Sequence, residues 1–129
     1  MKDEALAKTI QDLFKMQEKQ ARRLIGDTTV TAYRRVHEVA TSSLERTHEF
    51  IRRKNPKQAL PLLIKSLILI NYQEAREQLS KGLANILREV FNNIISGASK
   101  GTINEQAVER ARILLDALAV LVYQYGKKR

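Results

Sequence analysis

The chain has no cysteine and no tryptophan, two prolines, five glycines and two histidines among 129 residues. Without cysteine it forms no disulfide and offers no thiolate to a metal, and the absence fits a reducing compartment. The histidines do not make a metal site between them. His37 and His48 are eleven residues apart on one predicted helix, about 16 Å along its axis, so each is expected as a packed or half-exposed side chain. Long hydrophobic runs are missing too. A spanning helix needs roughly 20 consecutive apolar residues. "LPLLIKSLILI" (60–70) is about half that and holds Lys65, and "ILLDALAVLVY" (113–123) is interrupted by Asp116. The start, "MKDEALAKTIQDLF", mixes charges amphipathically and lacks the pattern of a secretory signal. The expectation is a soluble, cytoplasmic chain with no membrane partner.

The residue constellations of common enzymes are also scarce. "ISGASKGT" (95–102) has two glycines and Lys100 but neither the spacing nor the preceding strand of a phosphate loop. Glu45/Glu49 and Glu74/Glu77 are carboxylate pairs at helical spacing, without a metal-ligating histidine or a matching second pair. Ser42 and Ser43 have no base and acid that spacing brings to them. These patterns predict a non-catalytic protein without a cofactor or a metal.

What is present is positive charge. The formal net charge is +9, from 23 basic and 14 acidic residues. Residues 1–55 carry 12 basic and 8 acidic groups and residues 56–129 carry 11 and 6, so no basic tail supplies the excess. Charge spread over the folded body points to a polyanionic partner, most often nucleic acid; the plainer reading is a charged surface that keeps the chain in solution.

Hydrophobic spacing and punctuation predict an all-α, compact bundle of about five helices in one domain spanning 1–129. Leu6, Ile10, Leu13, Phe14, Ala21 and Leu24 fall on one helical stripe that Gly26 closes. Asp27, Thr28 or Thr29 can cap a second helix carrying Val30, Tyr33, Val36, Ala40, Leu44, Thr47 and Ile51, which stops at "RRKNP". Asn55 is placed to cap a third helix with Pro56 in its first turn, and "QEAREQL" is expected to continue it. Because 60–70 is apolar nearly all round, this helix is expected at the centre of the bundle, partly covered by another subunit. Leu83, Ile86, Leu87, Val90, Phe91, Ile94 and Ile95 mark a fourth helix closed by Gly97. Thr102 and Glu105 have the spacing of a capping box ahead of a fifth, with Ala107, Ala111, Leu114, Leu118, Leu121, Val122 and Tyr125.

On the second helix the arginines form two rows about 100° apart: Arg34 with Arg52, and Arg35 with Arg46 and Arg53, with Glu38, Glu45 and Glu49 between them. Two readings of these rows stay open. One is an exposed face laced with salt bridges such as Glu49–Arg53. The other is a basic edge that follows a sugar-phosphate backbone, lengthened by "RRKNPK" (52–57). With few aromatics, backbone contact without sequence preference is expected over base stacking.

Three segments, in order, resemble a known family. "TTVTAYRRVHEVATSSLER" (28–46) is similar to the opening helix of the small Csm-type subunit of type III-A CRISPR effector complexes, with Tyr33–Arg34 on its hydrophobe–arginine pair. "LPLLIKSLILINYQEAR" (60–76) is similar to its second block, a hydrophobic run with lysine and then a tyrosine, small residues and an arginine: Lys65, Tyr72, Ala75 and Arg76. "LLDALAVLVYQY" (114–125) is similar to its last helix through Asp116, Ala117, Leu118 and Tyr125. Ala75 stands where the family usually has glycine, and Leu121 where it has tyrosine. The resemblance implies a non-catalytic subunit whose copies stack beside the backbone subunits and line the groove that holds guide RNA and target RNA. It assigns Arg34, Arg76 and Lys65 to RNA contact. The charge pattern adds Arg35, Arg53 and Lys54. The implied partners are guide RNA, target RNA, the backbone and large subunits of the complex and neighbouring copies of the chain. Two other readings are carried beside it: a helical protein–protein adaptor with incidental charge, and an architectural DNA-binding protein.

Overall fold

Thr29 begins the longest helix. Its backbone is extended and its Oγ1 accepts the Ala32 N–H at 3.2 Å, so one of the orphan donors of the first turn is satisfied. The computed structural model describes residues 3–128, with six α-helices: α1 (Asp3–Phe14), α2 (Glu18–Ile25), α3 (Val30–Arg52), α4 (Leu60–Ala75), α5 (Lys81–Lys100) and α6 (Glu105–Tyr125), plus a 3₁₀ turn at Pro56–Ala59. Among the described residues there is no strand, only an isolated bridge between Thr29 and Lys127, and no helix is long and apolar enough to cross a membrane. The all-α expectation holds, with the helix expected at the start of the chain divided into α1 and α2.

That division falls at Lys15–Gln17, where the Gln17 N–H turns to the Gln20 side chain at 3.3 Å. It redirects the chain because α1 packs on α6, whereas α2 must meet both α6 and α5. Leu13, Ala21 and Ile25 are buried, but Phe14 is exposed. Leu6 lies in the stretch whose side chains fall outside the described residues. Thr29, not Asp27 or Thr28, caps α3. Val30, Tyr33, Val36, Ala40, Leu44 and Thr47 are its buried face, and the Tyr33 hydroxyl donates to the Leu115 carbonyl at 2.6 Å.

Four helix ends differ from their sequence expectation. Asn55 makes no side-chain cap, and Pro56 opens the 3₁₀ turn before α4. α4 stops at Ala75, ahead of "REQL": Glu77 adopts φ +60° and Gln78 N–H returns to the Gln73 carbonyl at 2.9 Å, closing a left-handed C-terminal turn. α5 runs through Gly97 to Lys100, and Gly101, at φ +72°, ends it. Gly97 serves packing instead: a Cβ there would lie 3.1 Å from that of Ile103 as the chain folds back. Asn104, rather than Thr102, caps α6, its Oδ1 accepting from Ala107 N–H at 2.8 Å.

The helices close around one core: α3 is flanked by α6 on one side and α4 on the other, α4 lies against α5, and α2 joins α5 to α6. α4 is therefore not central. Leu63, Ser66, Ile70 and Gln73 are buried, while Ile64 (44%), Ile68 (62%) and Tyr72 (55%) form an exposed stripe. The run is apolar all round, but one copy of the chain covers only one side of it.

Candidate nucleic-acid interface

α3 has two polar edges, and its neighbours treat them differently. The edge toward α6 is matched partner for partner. Asp116 lies 2.8 Å from His37 Nε2, Glu45 3.3 Å from an Arg112 nitrogen, and Glu105 3.1 Å from His48 Nε2 and 3.4 Å from Arg52 Nε. The His48 contact is close but not an aligned hydrogen bond. His48 against its carboxylate, with Arg52 beside it, still holds Glu105 below the usual carboxylate range. Arg34 belongs to this edge as well: its Nε donates to the Tyr123 hydroxyl at 3.3 Å and its guanidinium lies 5.9 Å from the ring. This edge is laced with ionic contacts, though they run to α6 and not along α3: the expected Glu49–Arg53 pair is not formed, and Glu49 lies 4.0 Å from Arg46 instead.

The edge toward α4 is different. α3 and α4 approach closely at Ser43 and Ser66, whose hydroxyls are 2.9 Å apart. Two depressions run along this contact with Arg35 as their shared wall. The first is lined by Arg35, Glu38, Val39, Ser42, Leu62 and Lys65. The second is lined by Thr29, Thr31, Arg35, Gln73, Arg76 and Gln78. Together they make a groove with Lys65 toward one end, Arg35 in the middle and Arg76 toward the other. Arg76, the C-cap of α4, follows Lys65 by eleven residues, about 16 Å along the helix. At roughly 3.4 Å of advance per nucleotide, that length covers about five nucleotides of a regular strand.

Among the described residues, Arg35 and Lys65 form no ion pair, and Arg76 only stacks over Tyr72, 5.4 Å from its ring centroid. Glu38 is the one carboxylate in the lining. Cations left in the open beside a groove keep their charge available to a phosphate, whereas Arg52 and Arg112 on the α6 edge face protein carboxylates and Arg34 a tyrosine.

The six sequence-derived residues thus separate. Arg35, Lys65 and Arg76 come together. Arg34 sits across the helix in a hollow with Val30, Thr31, Tyr123 and Lys128, and only Thr31 borders both places. Arg53 shares the helical phase of Arg35 but lies five turns away, about 27 Å, as the C-cap of α3 with Lys54 following at φ +60°. Between them Arg46 is held by Glu49 at 4.0 Å and by the Phe50 ring at 5.7 Å.

The groove also contains residues the sequence did not single out: Thr31, Gln73 and Gln78. Gln73 was detectable, since it continues the 3–4–3 spacing of Leu63, Ser66 and Ile70 and so puts an amide at a core position. Gln78 is fixed by the chain reversal after α4, with Thr29 N–H donating to its carbonyl at 3.0 Å and Thr29 Oγ1 to its Oε1 at 3.1 Å.

Comparison of the chain with protein-family models, with curated proteins and with solved structures finds no match. Fold and groove define a class, an all-α bundle with an unpaired cationic groove between α3 and α4. Any narrower assignment rests on the residues themselves.

Proposed function

We propose that this chain is the non-catalytic small subunit of a type III-A CRISPR RNA-guided effector complex, holding guide RNA and target RNA by sequence-independent backbone contacts. The observation that carries the RNA-binding part is the convergence of Arg35, Lys65 and Arg76, without carboxylate partners, along one groove. The three family-like segments, 28–46, 60–76 and 114–125, support the placement in that complex, and two of them supply the walls of the groove. On this reading the partners are guide and target RNA, the backbone and large subunits, and neighbouring copies of the chain. Arg34 with Lys128 extends the contact around the N-terminal end of α3.

One observation favours a second reading, a protein–protein adaptor: the exposed stripe Ile64–Ile68–Tyr72 on α4. Apolar stripes of this kind mark docking faces. Fluorescence anisotropy with labelled single-stranded RNA, RNA duplex and duplex DNA, each at several salt concentrations, separates the readings. The proposal expects salt-sensitive RNA binding indifferent to sequence. No retention of any nucleic acid at physiological salt argues for the adaptor, and tighter binding to duplex DNA than to RNA argues for an architectural DNA-binding protein.

A further inference from the structure

One groove residue is out of place by ordinary packing rules. Gln73 is 7% exposed, and its Oε1 is enclosed without a hydrogen-bond partner. A buried amide oxygen without a protein partner is unfavourable, and native proteins rarely keep one without a use for it. Gln73 cannot be explained as a helix-end device either. It is the Gln73 backbone carbonyl, not the side chain, that accepts from Gln78 and Leu79. Its side chain lines the depression between the two guanidinium-bearing walls, Arg35 and Arg76, with Thr31 and Gln78 as the other polar lining.

Charged walls with a neutral, hydrogen-bonding floor suit a ligand that alternates charged and neutral polar groups. The sugar-phosphate backbone of RNA does this, with an anionic phosphate at each step and a neutral 2′-hydroxyl between. We infer that Gln73 hydrogen-bonds a ribose 2′-hydroxyl while Arg35 and Arg76 hold the flanking phosphates, so that the groove distinguishes RNA from DNA without reading sequence. The inference rests on the RNA-backbone reading above and adds a specificity determinant to it. The orientation of the amide does not limit it: rotation about its last bond exchanges oxygen and NH₂. A 2′-hydroxyl is donor and acceptor at once and pairs with either. Removing the hydroxyl leaves the amide unpaired again, which is how a polar site rejects an analogue lacking the group it was built to bind.

The test compares a uridine-only 12-nucleotide RNA with its all-2′-deoxyuridine counterpart, by anisotropy at one fixed salt concentration, on the wild-type chain and on Gln73→Met. The wild type is expected to bind the RNA about tenfold more tightly. Gln73→Met is expected to bring RNA affinity down to the level of the deoxy strand, with deoxy affinity changed by less than about twofold, because both arginines remain. Thermal unfolding of the free variant is expected to show no loss of stability, since an unpaired buried amide has been replaced by an apolar side chain of similar length. Should Gln73→Met fail to fold, Gln73→Asn, which retracts the amide by one methylene, is read in the same way. Equal, salt-dependent binding of both strands by the wild type, or a preference for RNA that survives Gln73→Met, overturns this inference and leaves the proposed function standing. No binding of either strand by the wild type overturns both.

Discussion

Ser80 joins three elements around the end of the groove, and its removal gives a stability change that can be worked from individual bonds. Its Oγ accepts the Leu83 N–H at 3.1 Å as the N-cap of α5 and donates to the Leu24 carbonyl at the end of α2 at 2.6 Å; its own N–H donates to Thr28 Oγ1 at 2.8 Å. Ser80→Ala keeps only the last of these. Loss of the cap costs about 1 kcal/mol. The Leu24 carbonyl is among the last four of α2 and so lacks a helical partner; leaving it unpaired at a half-buried site costs about 1 kcal/mol more. For 129 residues the unfolding entropy is about 0.27 kcal/mol/K, so a loss of about 2 kcal/mol lowers Tm by about 7 °C. Differential scanning calorimetry of wild type, Ser80→Ala and Ser80→Thr measures this directly, with threonine expected to recover most of the loss. A shift below about 2 °C for alanine contradicts the assignment of Ser80 as the joint between α2 and α5.

Glu77, at φ +60°, carries left-handed strain of about 1–2 kcal/mol, of which glycine's extra unfolded-state freedom cancels about 0.4–1. Glu77→Gly should therefore raise stability by about 0.5–1 kcal/mol in a urea titration. Ile68→Gln and Ile70→Ala, two residues apart in the same apolar run, should differ sharply: exposed Ile68 changes stability by less than about 0.5 kcal/mol, and fully buried Ile70 costs about 3 kcal/mol. Comparable losses at both positions would show α4 covered on both sides. Because His48 and Arg52 lower the Glu105 pKa, this carboxylate stabilises the fold above about pH 4.5, its ordinary value. That contribution is lost as pH falls through the lowered folded value. Tm measured from pH 7 to pH 3 should show Glu105→Gln less stable than wild type at the neutral end and the two converging at the acid end.

Much of this fold is legible in the sequence because helices α3, α5 and α6 each carry a 3–4 spacing most of whose residues are buried, with Ile51, Ile86, Ile95, Ala107 and Tyr125 at its margins only partly so. The break between α1 and α2 is not legible. Neither proline nor glycine marks Lys15–Gln17, and the turn answers a tertiary demand, the need of α2 to reach both α5 and α6. The sequence marks Gly97 as the end of α5, and Gly101 is the end, for a related reason. Both glycines could end a helix, and only the return of Ile103 onto Gly97 shows which one makes room for packing and which takes the positive φ. The α4 run reads as central in the sequence because its composition does not say which faces are covered. For the groove, the sequence showed two arginine rows on α3, but not that α6 carries Glu105 and Tyr123 to meet Arg52 and Arg34 of one of them. Pairing across 50 or more residues is set by topology, and it separates Arg34 from Arg35 although they are adjacent in the chain.

On the proposed function, Arg35, Lys65 and Arg76 hold a nucleic-acid backbone together. The most direct test is the salt dependence of single-stranded RNA binding by the wild type and by the triple variant Arg35→Ala/Lys65→Ala/Arg76→Ala, with Arg52→Ala/Arg112→Ala on the opposite edge as control. Each phosphate contact on a single strand contributes about 0.7 to the slope of log K against log salt, so the triple variant should flatten it by about 2. Between 50 and 200 mM salt the three contacts account for about a 20-fold fall in affinity, which the triple variant should lose. The control should keep the wild-type slope. An unchanged slope in the triple variant, or an equal loss in the control, would contradict the claim that this groove is the binding site.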